Sequence, residues 1–130
     1  MTVQKIGKRR TQQREAVLSI LQETVGPLSI NDIHDLATEY CPDIGIATVY
    51  RTIKLLLEKD QVVQVILPDG IGRYELPDAA PHQHFLCEEC GRAFDLDLGK
   101  VSWSKSSFKR KGFRVEDQEL CLLGSCPDCR

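Results

Sequence analysis

The residues with the softest donor atoms in this chain are six cysteines and three histidines, and they are unevenly spread. "HQHFLCEECG" places His82, His84, Cys87 and Cys90 within nine residues, and "CPDC" adds Cys126 and Cys129 near the end of the chain. A Cys-x-x-Cys knuckle supplies two sulfur ligands at the bite that tetrahedral zinc needs, so two knuckles sum to a four-sulfur structural zinc site. Residues 91–125, 35 in all, lie between the pairs, which is longer than the roughly 15–20 of an ordinary zinc ribbon. Metal bound there closes most of the second half of the chain into one loop and supplies much of its folding free energy. The competing chemistry is thiol–disulfide exchange, but a redox pair normally stands alone at a helix start, and here there are two pairs. Cys41 and Cys121 have no partner at useful spacing and read as buried or incidental thiols.

His82 and His84 are two apart on an expected strand, so their imidazoles point to one face. Asp95 falls on a neighbouring expected strand, and Glu75 ends the hairpin that precedes them. This nitrogen and oxygen set suits iron, manganese, zinc or cobalt, and it is distinct from the sulfurs; the plain alternative is a pair of solvated histidines. His34 lies mid-helix beside acids and reads as a surface residue. Charge is also uneven. The chain is formally −2, yet Lys5, Lys8, Arg9, Arg10 and Arg14 occupy the first fourteen residues with no acid among them. Such an arm suggests contact with a polyanion, against the alternative of a solvated, frayed terminus.

The elements that must position these residues divide the chain in two. Thr11 is a candidate cap for a helix that carries Val17, Ile20 and Leu21 on one face, and Gly26-Pro27 breaks it. Ser29, with Asp32 three residues on, caps a second helix in which Ile33, Leu36, Ala37 and Tyr40 recur at helical spacing. A third, "IATVYRTIKLLLEKD", buries Val49, Ile53, Leu56 and Leu57 and shows Ala47, Thr48, Tyr50, Arg51 and Lys54 on its other face. After Asp60 the period becomes that of strands, and "VVQVIL" and "RYEL" flank "PDGIG" as a hairpin. Three helices followed by a hairpin is the order of a winged helix-turn-helix, over 1–76. "PDAAP" (77–81) is the expected hinge, and 82–130 a small α/β domain, for an α+β chain. In the second half "HFLC", "AFDLDL", "FRVED" and "ELCLLG" are expected strands. They surround a helix in "KVSWSKSSFKRKG" that carries Val101 and Phe108 and ends at Gly112.

No apolar run approaches the roughly 20 residues of a membrane span, so no membrane partner is expected. The N-terminus lacks the apolar region of a secretory signal, which places the thiols in a reducing cytoplasm. No Ser/His/Asp set, phosphate-cradling glycine loop or acid/base carboxylate pair is present, so no enzyme activity is expected.

"GIATVYRTIKLL", "GRYEL", "HQHFLCEECG" and "GSCPDC", in this order and over nearly the whole chain, resemble the ferric uptake regulator family of metal-dependent bacterial repressors. The resemblance implies a winged-helix DNA-binding domain, a zinc-stabilised dimerisation domain, and a homodimer that binds an inverted-repeat operator in double-stranded DNA when a regulatory metal is bound. It places "ATVYR" on the recognition helix, with Thr48, Tyr50 and Arg51 toward DNA and Arg9, Arg10 and Arg14 toward phosphates. It implies structural zinc at Cys87, Cys90, Cys126 and Cys129. Glu75, His82, His84 and Asp95 would then hold the regulatory ion: iron first, with manganese and zinc as alternatives.

Two departures bear on that expectation. The family's regulatory site usually takes one further histidine just before the second helix, where this chain has Pro27 and Leu28. Asp95 stands where the iron-sensing branch more often has glutamate and the peroxide-sensing branch aspartate, whereas Glu75 leans the other way. Iron-responsive repression is therefore the leading expectation. Peroxide, manganese or zinc sensing, or constitutive DNA binding without the switch, are the alternatives within the family.

Overall fold

The structure is a computed structural model that describes residues 2–77, 82–97, 109–114 and 119–130, with side chains from Arg10 onward. Its contacts divide it into two compact units, Met1–Asp78 and Ala79–Arg130. Of the expected hinge only Pro77 lies within the described residues.

The first unit opens with α1 (Thr2–Glu23). Thr11 does not cap it, because the helix already runs through that position from Thr2. Nothing before Thr11 breaks a helix outright: the segment has no proline, and its lysines, glutamine and arginines are good helix formers. Gln13, Ala16, Val17, Ile20 and Leu21 recur at helical spacing and are buried. The end is set locally, where Thr24 donates both its N–H and its hydroxyl to the Ile20 carbonyl, at 3.1 and 2.7 Å, before Gly26 and Pro27.

Helix α2 (Ile30–Ala37) starts on a full capping box: the Asp32 N–H donates to Ser29 Oγ and the Ser29 N–H to the Asp32 carboxylate, both at 3.1 Å. Ile30, Ile33 and Ala37 face the core. Leu36 and Tyr40, expected on that face, are 37% and 59% exposed; Tyr40 falls in the turn beyond the helix, which stops at Ala37, whereas Leu36 is helical and only partly covered. Helix α3 (Ile46–Glu58) buries Val49, Thr52, Ile53 and Leu56, with Leu57 half-buried. The buried Thr52 hydroxyl is satisfied by donating to the Thr48 carbonyl at 2.8 Å. These helices share one apolar cluster.

Strands β1 (Val63–Ile66) and β2 (Gly72–Glu75) form the antiparallel wing, with Val63 opposite Glu75 and Ile66 opposite Gly72. Leu28 joins β2 by an isolated bridge, exchanging backbone hydrogen bonds with Tyr74 at 2.9 and 2.8 Å. At the tip, Gly70 adopts φ +78°, a conformation that favours glycine. There Arg73, 2% exposed, donates two hydrogen bonds to the Asp69 carboxylate at 2.9 and 2.7 Å.

The second unit contains a three-stranded sheet ordered β4-β3-β5. β3 (Gln83–Cys87) pairs antiparallel with β4 (Ala93–Leu96), and parallel with β5 (Cys121–Gly124). Parallel pairing requires a long crossover, which residues 97–120 supply. The expected helix over 100–112 lies largely outside the described residues; Lys109 and Arg110 are helical, and Gly112 closes the turn at φ +83°. Of the expected strand "FRVED", Phe113 and Arg114 are not in a strand, and Val115–Asp117 lie outside the described residues. Phe113 is 65% exposed.

Candidate metal centres and a basic cleft

The sulfur cluster is built by two turns of the same design. Cys87 ends β3, and the chain reverses through Glu88–Cys90, with the Gly91 N–H donating to the Cys87 carbonyl at 2.9 Å. In the second knuckle the Cys129 N–H donates to the Cys126 carbonyl at 3.0 Å. The sheet brings the knuckles together, since parallel pairing sets Cys87 beside Gly124, two residues before Cys126. Amide groups of both knuckles aim at one sulfur: the N–H groups of Cys90 and Cys126 donate to Cys87 Sγ at 3.5 and 3.3 Å.

The four sulfurs lie within 4.8 Å of one another, with Cys90 Sγ 3.8 Å from Cys126 Sγ. A zinc–sulfur bond of about 2.3 Å gives a tetrahedron with edges of about 3.8 Å, so the group fits a zinc-sized ion. The thiols also press on one another electrically. Those amide donors, Cys90's first, pull the Cys87 thiol down to about 6 against the opposing effect of burial. The Arg92 guanidinium lowers Cys90. Hydrogen bonding to Cys126, together with burial, pushes Cys129 up to about 12. Part of the cluster is drawn toward thiolate while part is held as thiol, a conflict that a divalent cation among the sulfurs removes.

His82 and His84 bring their Nε2 atoms to 3.1 Å, and Asp95 Oδ1 lies 3.6 Å from the first and 3.3 Å from the second. The sheet causes this convergence, because Asp95 on β4 stands directly opposite His84 on β3. Metal–nitrogen bonds of about 2.1 Å separate neighbouring donors by about 3.0–3.4 Å; the 3.1 and 3.3 Å separations fall in that range and the 3.6 Å separation lies just above it, close to the spacing of a common ligand set. All three side chains are partly buried. Glu75 closes β2 of the first unit at 9% exposure. Pro27 and Leu28, at the place of the expected extra histidine, are both buried in the first unit and offer no side-chain donor.

In the first unit α1 and α3 enclose a cleft of about 420 Å³ lined by Arg10, Gln13, Arg14, Thr48, Arg51, Thr52 and Leu55. Arg10, Arg14, Thr48 and Arg51 from the expected DNA-contacting set therefore meet in one recess, with three guanidinium groups and no acid among its lining residues. Arg51 donates to Thr48 Oγ1 at 3.3 Å. Tyr50, 58% exposed, points outside the recess; Arg9 lies on α1, and its side chain is outside the described residues.

Sequence reasoning missed Arg92, whose Nε donates to Cys90 Sγ at 3.4 Å; a basic residue two after a knuckle was the available signal. It also took His34 for an ordinary surface residue. The ring in fact bonds through Nε2 to the Ile44 carbonyl at 3.0 Å, tying α2 to the turn before α3. Cys41 and Cys121 are half-buried.

Three helices and a two-stranded wing, followed by a small sheet that bears a four-cysteine cluster, define an α+β winged-helix protein with candidate metal centres. The sequence model of the Ferric uptake regulator family matches residues 5–123, and the chain belongs to that family, one of transcriptional regulators rather than enzymes. The Ferric uptake regulation protein of Bacillus subtilis (strain 168) is 35% identical over 124 residues, covering 92% of this chain and 83% of that protein. The Peroxide operon regulator of the same strain is 27% identical over 129 residues, covering 98% and 88%. A solved structure described as a zinc-bound manganese uptake regulator superposes with a TM-score of 0.74 at 22% identity, covering 97% of this chain and 99% of that one, a likeness of fold. Among the described residues no helix is long and apolar enough to cross a membrane.

Proposed function

We propose that this chain is a cytoplasmic, homodimeric, metal-responsive repressor that binds an inverted-repeat operator in double-stranded DNA. The convergence of His82, His84 and Asp95 carries the reading, because three donors close to ligand spacing and apart from the sulfur cluster separate a switch from a structural ion. Cys87, Cys90, Cys126 and Cys129 hold structural zinc. Glu75 is the fourth proposed ligand of the regulatory ion. Thr48, Tyr50 and Arg51 on α3 contact base edges and phosphates, while Arg9, Arg10 and Arg14 take phosphates.

The bound cation is the switch in this reading, and its loss lowers the fraction of the protein competent to bind the operator. Operator binding needs two recognition helices about 34–36 Å apart. Any fall in the competent fraction lowers apparent affinity in proportion. Iron is the leading ion, supported by the 35% identity to a protein named for ferric uptake.

The test replaces both imidazoles: His82→Ala with His84→Ala. Metal should tighten operator binding by the wild-type protein roughly 10–100-fold and leave the double variant unchanged, with circular dichroism and zinc content as in the wild type. Metal-responsive binding by that variant would place the switch elsewhere. Peroxide sensing is the second reading, favoured by Asp95 and by the likeness to a peroxide operon regulator. Added oxygen on His82 or His84 of the iron form after peroxide, seen by mass spectrometry, would establish it over simple iron response.

A further inference from the structure

Among the described residues, the Arg92 side chain lies directly against the sulfur cluster. Arg92 follows Gly91 at the exit of the first knuckle, and its guanidinium reaches across to the second. Nε donates to Cys90 Sγ at 3.4 Å, and Nη2 to Cys126 Sγ at 3.7 Å. Nη2 also donates to the Asp128 carboxylate at 2.7 Å, and the guanidinium carbon sits 5.5 Å from the centre of the Phe94 ring. One sulfur from each Cys-x-x-Cys pair is thus bonded to a single rigid fork, held from behind by an acid and beneath by an aromatic face. Planar geometry makes this possible; a lysine ammonium is a point charge and cannot present the same fork.

Four thiolates around a divalent cation carry a net charge of −2, and the excess negative charge resides on sulfur. Hydrogen bonds from a cation to two of those sulfurs withdraw electron density and lower their nucleophilicity. The Arg92 side chain is 52% exposed and Asp128 76%, so this ion pair adds little stability of its own. Its effect is to aim the fork.

We propose that Arg92 is a positioning and charge-balancing residue of the four-sulfur centre, and that it slows attack by the Cys90 and Cys126 sulfurs on electrophiles and the metal loss that follows. This rests on the reading of the cluster as a zinc site. The chemistry tested is alkylation: a sulfur lone pair forms a bond to the methylene carbon of iodoacetamide, iodide leaves, and the resulting thioether is a poor zinc ligand.

The experiment compares full-length wild type, Arg92→Met, Arg92→Lys and Asp128→Asn, each loaded with zinc and assayed for metal content. Zinc release in excess iodoacetamide is followed with a chromophoric chelator. Arg92→Met should release zinc roughly 10-fold faster, Arg92→Lys less so, and Asp128→Asn slightly faster than wild type. In the cobalt-substituted proteins the sulfur-to-cobalt charge-transfer bands should shift to lower energy in Arg92→Met, a change that a purely structural role would not produce. If Arg92→Met does not load zinc, the Arg92→Lys and Asp128→Asn rates decide. Wild-type rates in every zinc-loaded variant overturn the role of Arg92. Absence of zinc from the wild-type cluster instead overturns the reading beneath it.

Discussion

In the first unit, side chains from all three helices, together with Leu28, Ile44 and Val62, close into one apolar cluster. In the second, the buried apolar side chains among the described residues are Leu86, Cys87 and Cys126. Burying a leucine- or isoleucine-sized side chain stabilises by about 1.5–3 kcal/mol, so this cluster is a large favourable contribution to folding of the first unit. The described part of the second has one such side chain, and its other two buried positions are sulfur donors. Among the described residues, then, the first unit buries mainly apolar side chains and the second buries mainly sulfur donors. Only what sulfur donors contribute through a metal can be removed by a chelator.

The largest effect should come from breaking the ligand side of this contrast. Cys126→Ser with Cys129→Ser, or exhaustive chelation, removes on the order of 10 kcal/mol of metal-binding free energy. Hydrogen exchange should show β3, β4 and β5 losing protection while α1, α2 and α3 keep theirs. Equal loss in both units would mean that the first unit also depends on the metal.

The apolar side breaks through its core. Leu56, fully buried on α3, leaves a cavity when cut back, and Leu56→Ala should cost about 4 kcal/mol. Chemical denaturation of the first unit reads that loss, and zinc content should not change. A fall in zinc content would couple the two halves.

The wing tip holds a third kind of interaction, a buried charge. Arg73 bonds to Asp69 and lowers the Asp69 carboxyl below its ordinary value. A depressed carboxyl contributes stability above the unfolded aspartate value of about 3.9, and the contribution is lost as pH falls through the folded value. Asp69→Ala should cost about 3 kcal/mol at pH 7, the low end for disrupting a buried pair, since Asp69 is itself partly exposed. The gap between variant and wild type should narrow below about pH 4. A gap that stays constant with pH would assign the loss to packing instead.

Local chemistry was the legible part of this chain. Ser29 and Asp32 lie three apart in sequence and bond as read, and both Cys-x-x-Cys pairs sit in turns their own spacing dictates. The strand period was clear enough to set His82 and His84 on one face. What the sequence hid depends on partners far along the chain or on the end of an element. Tyr40 looked like a core residue because periodicity does not show where α2 stops. Arg92 and Asp128 are 36 residues apart and become neighbours only after β5 pairs with β3. His34 lacked a visible role because its partner is a backbone carbonyl, an atom that every residue has and no pattern marks.

The smallest effect sharpens the contrast at the point where sequence and structure agree best. Ser29 satisfies one N–H at the start of α2, and Asp32 satisfies the Ser29 N–H in return. Ser29→Ala removes the hydroxyl acceptor and should cost about 1 kcal/mol. Asp32 keeps its favourable place in the first helical turn, so the loss should stay modest. It should appear only in the unfolding of the first unit, because the cap feeds helix α2 and not the sulfurs. The alkylation rate of the zinc-loaded cluster should match that of the wild type, and a changed rate would mean that the capped helix and the metal site share a cooperative unit.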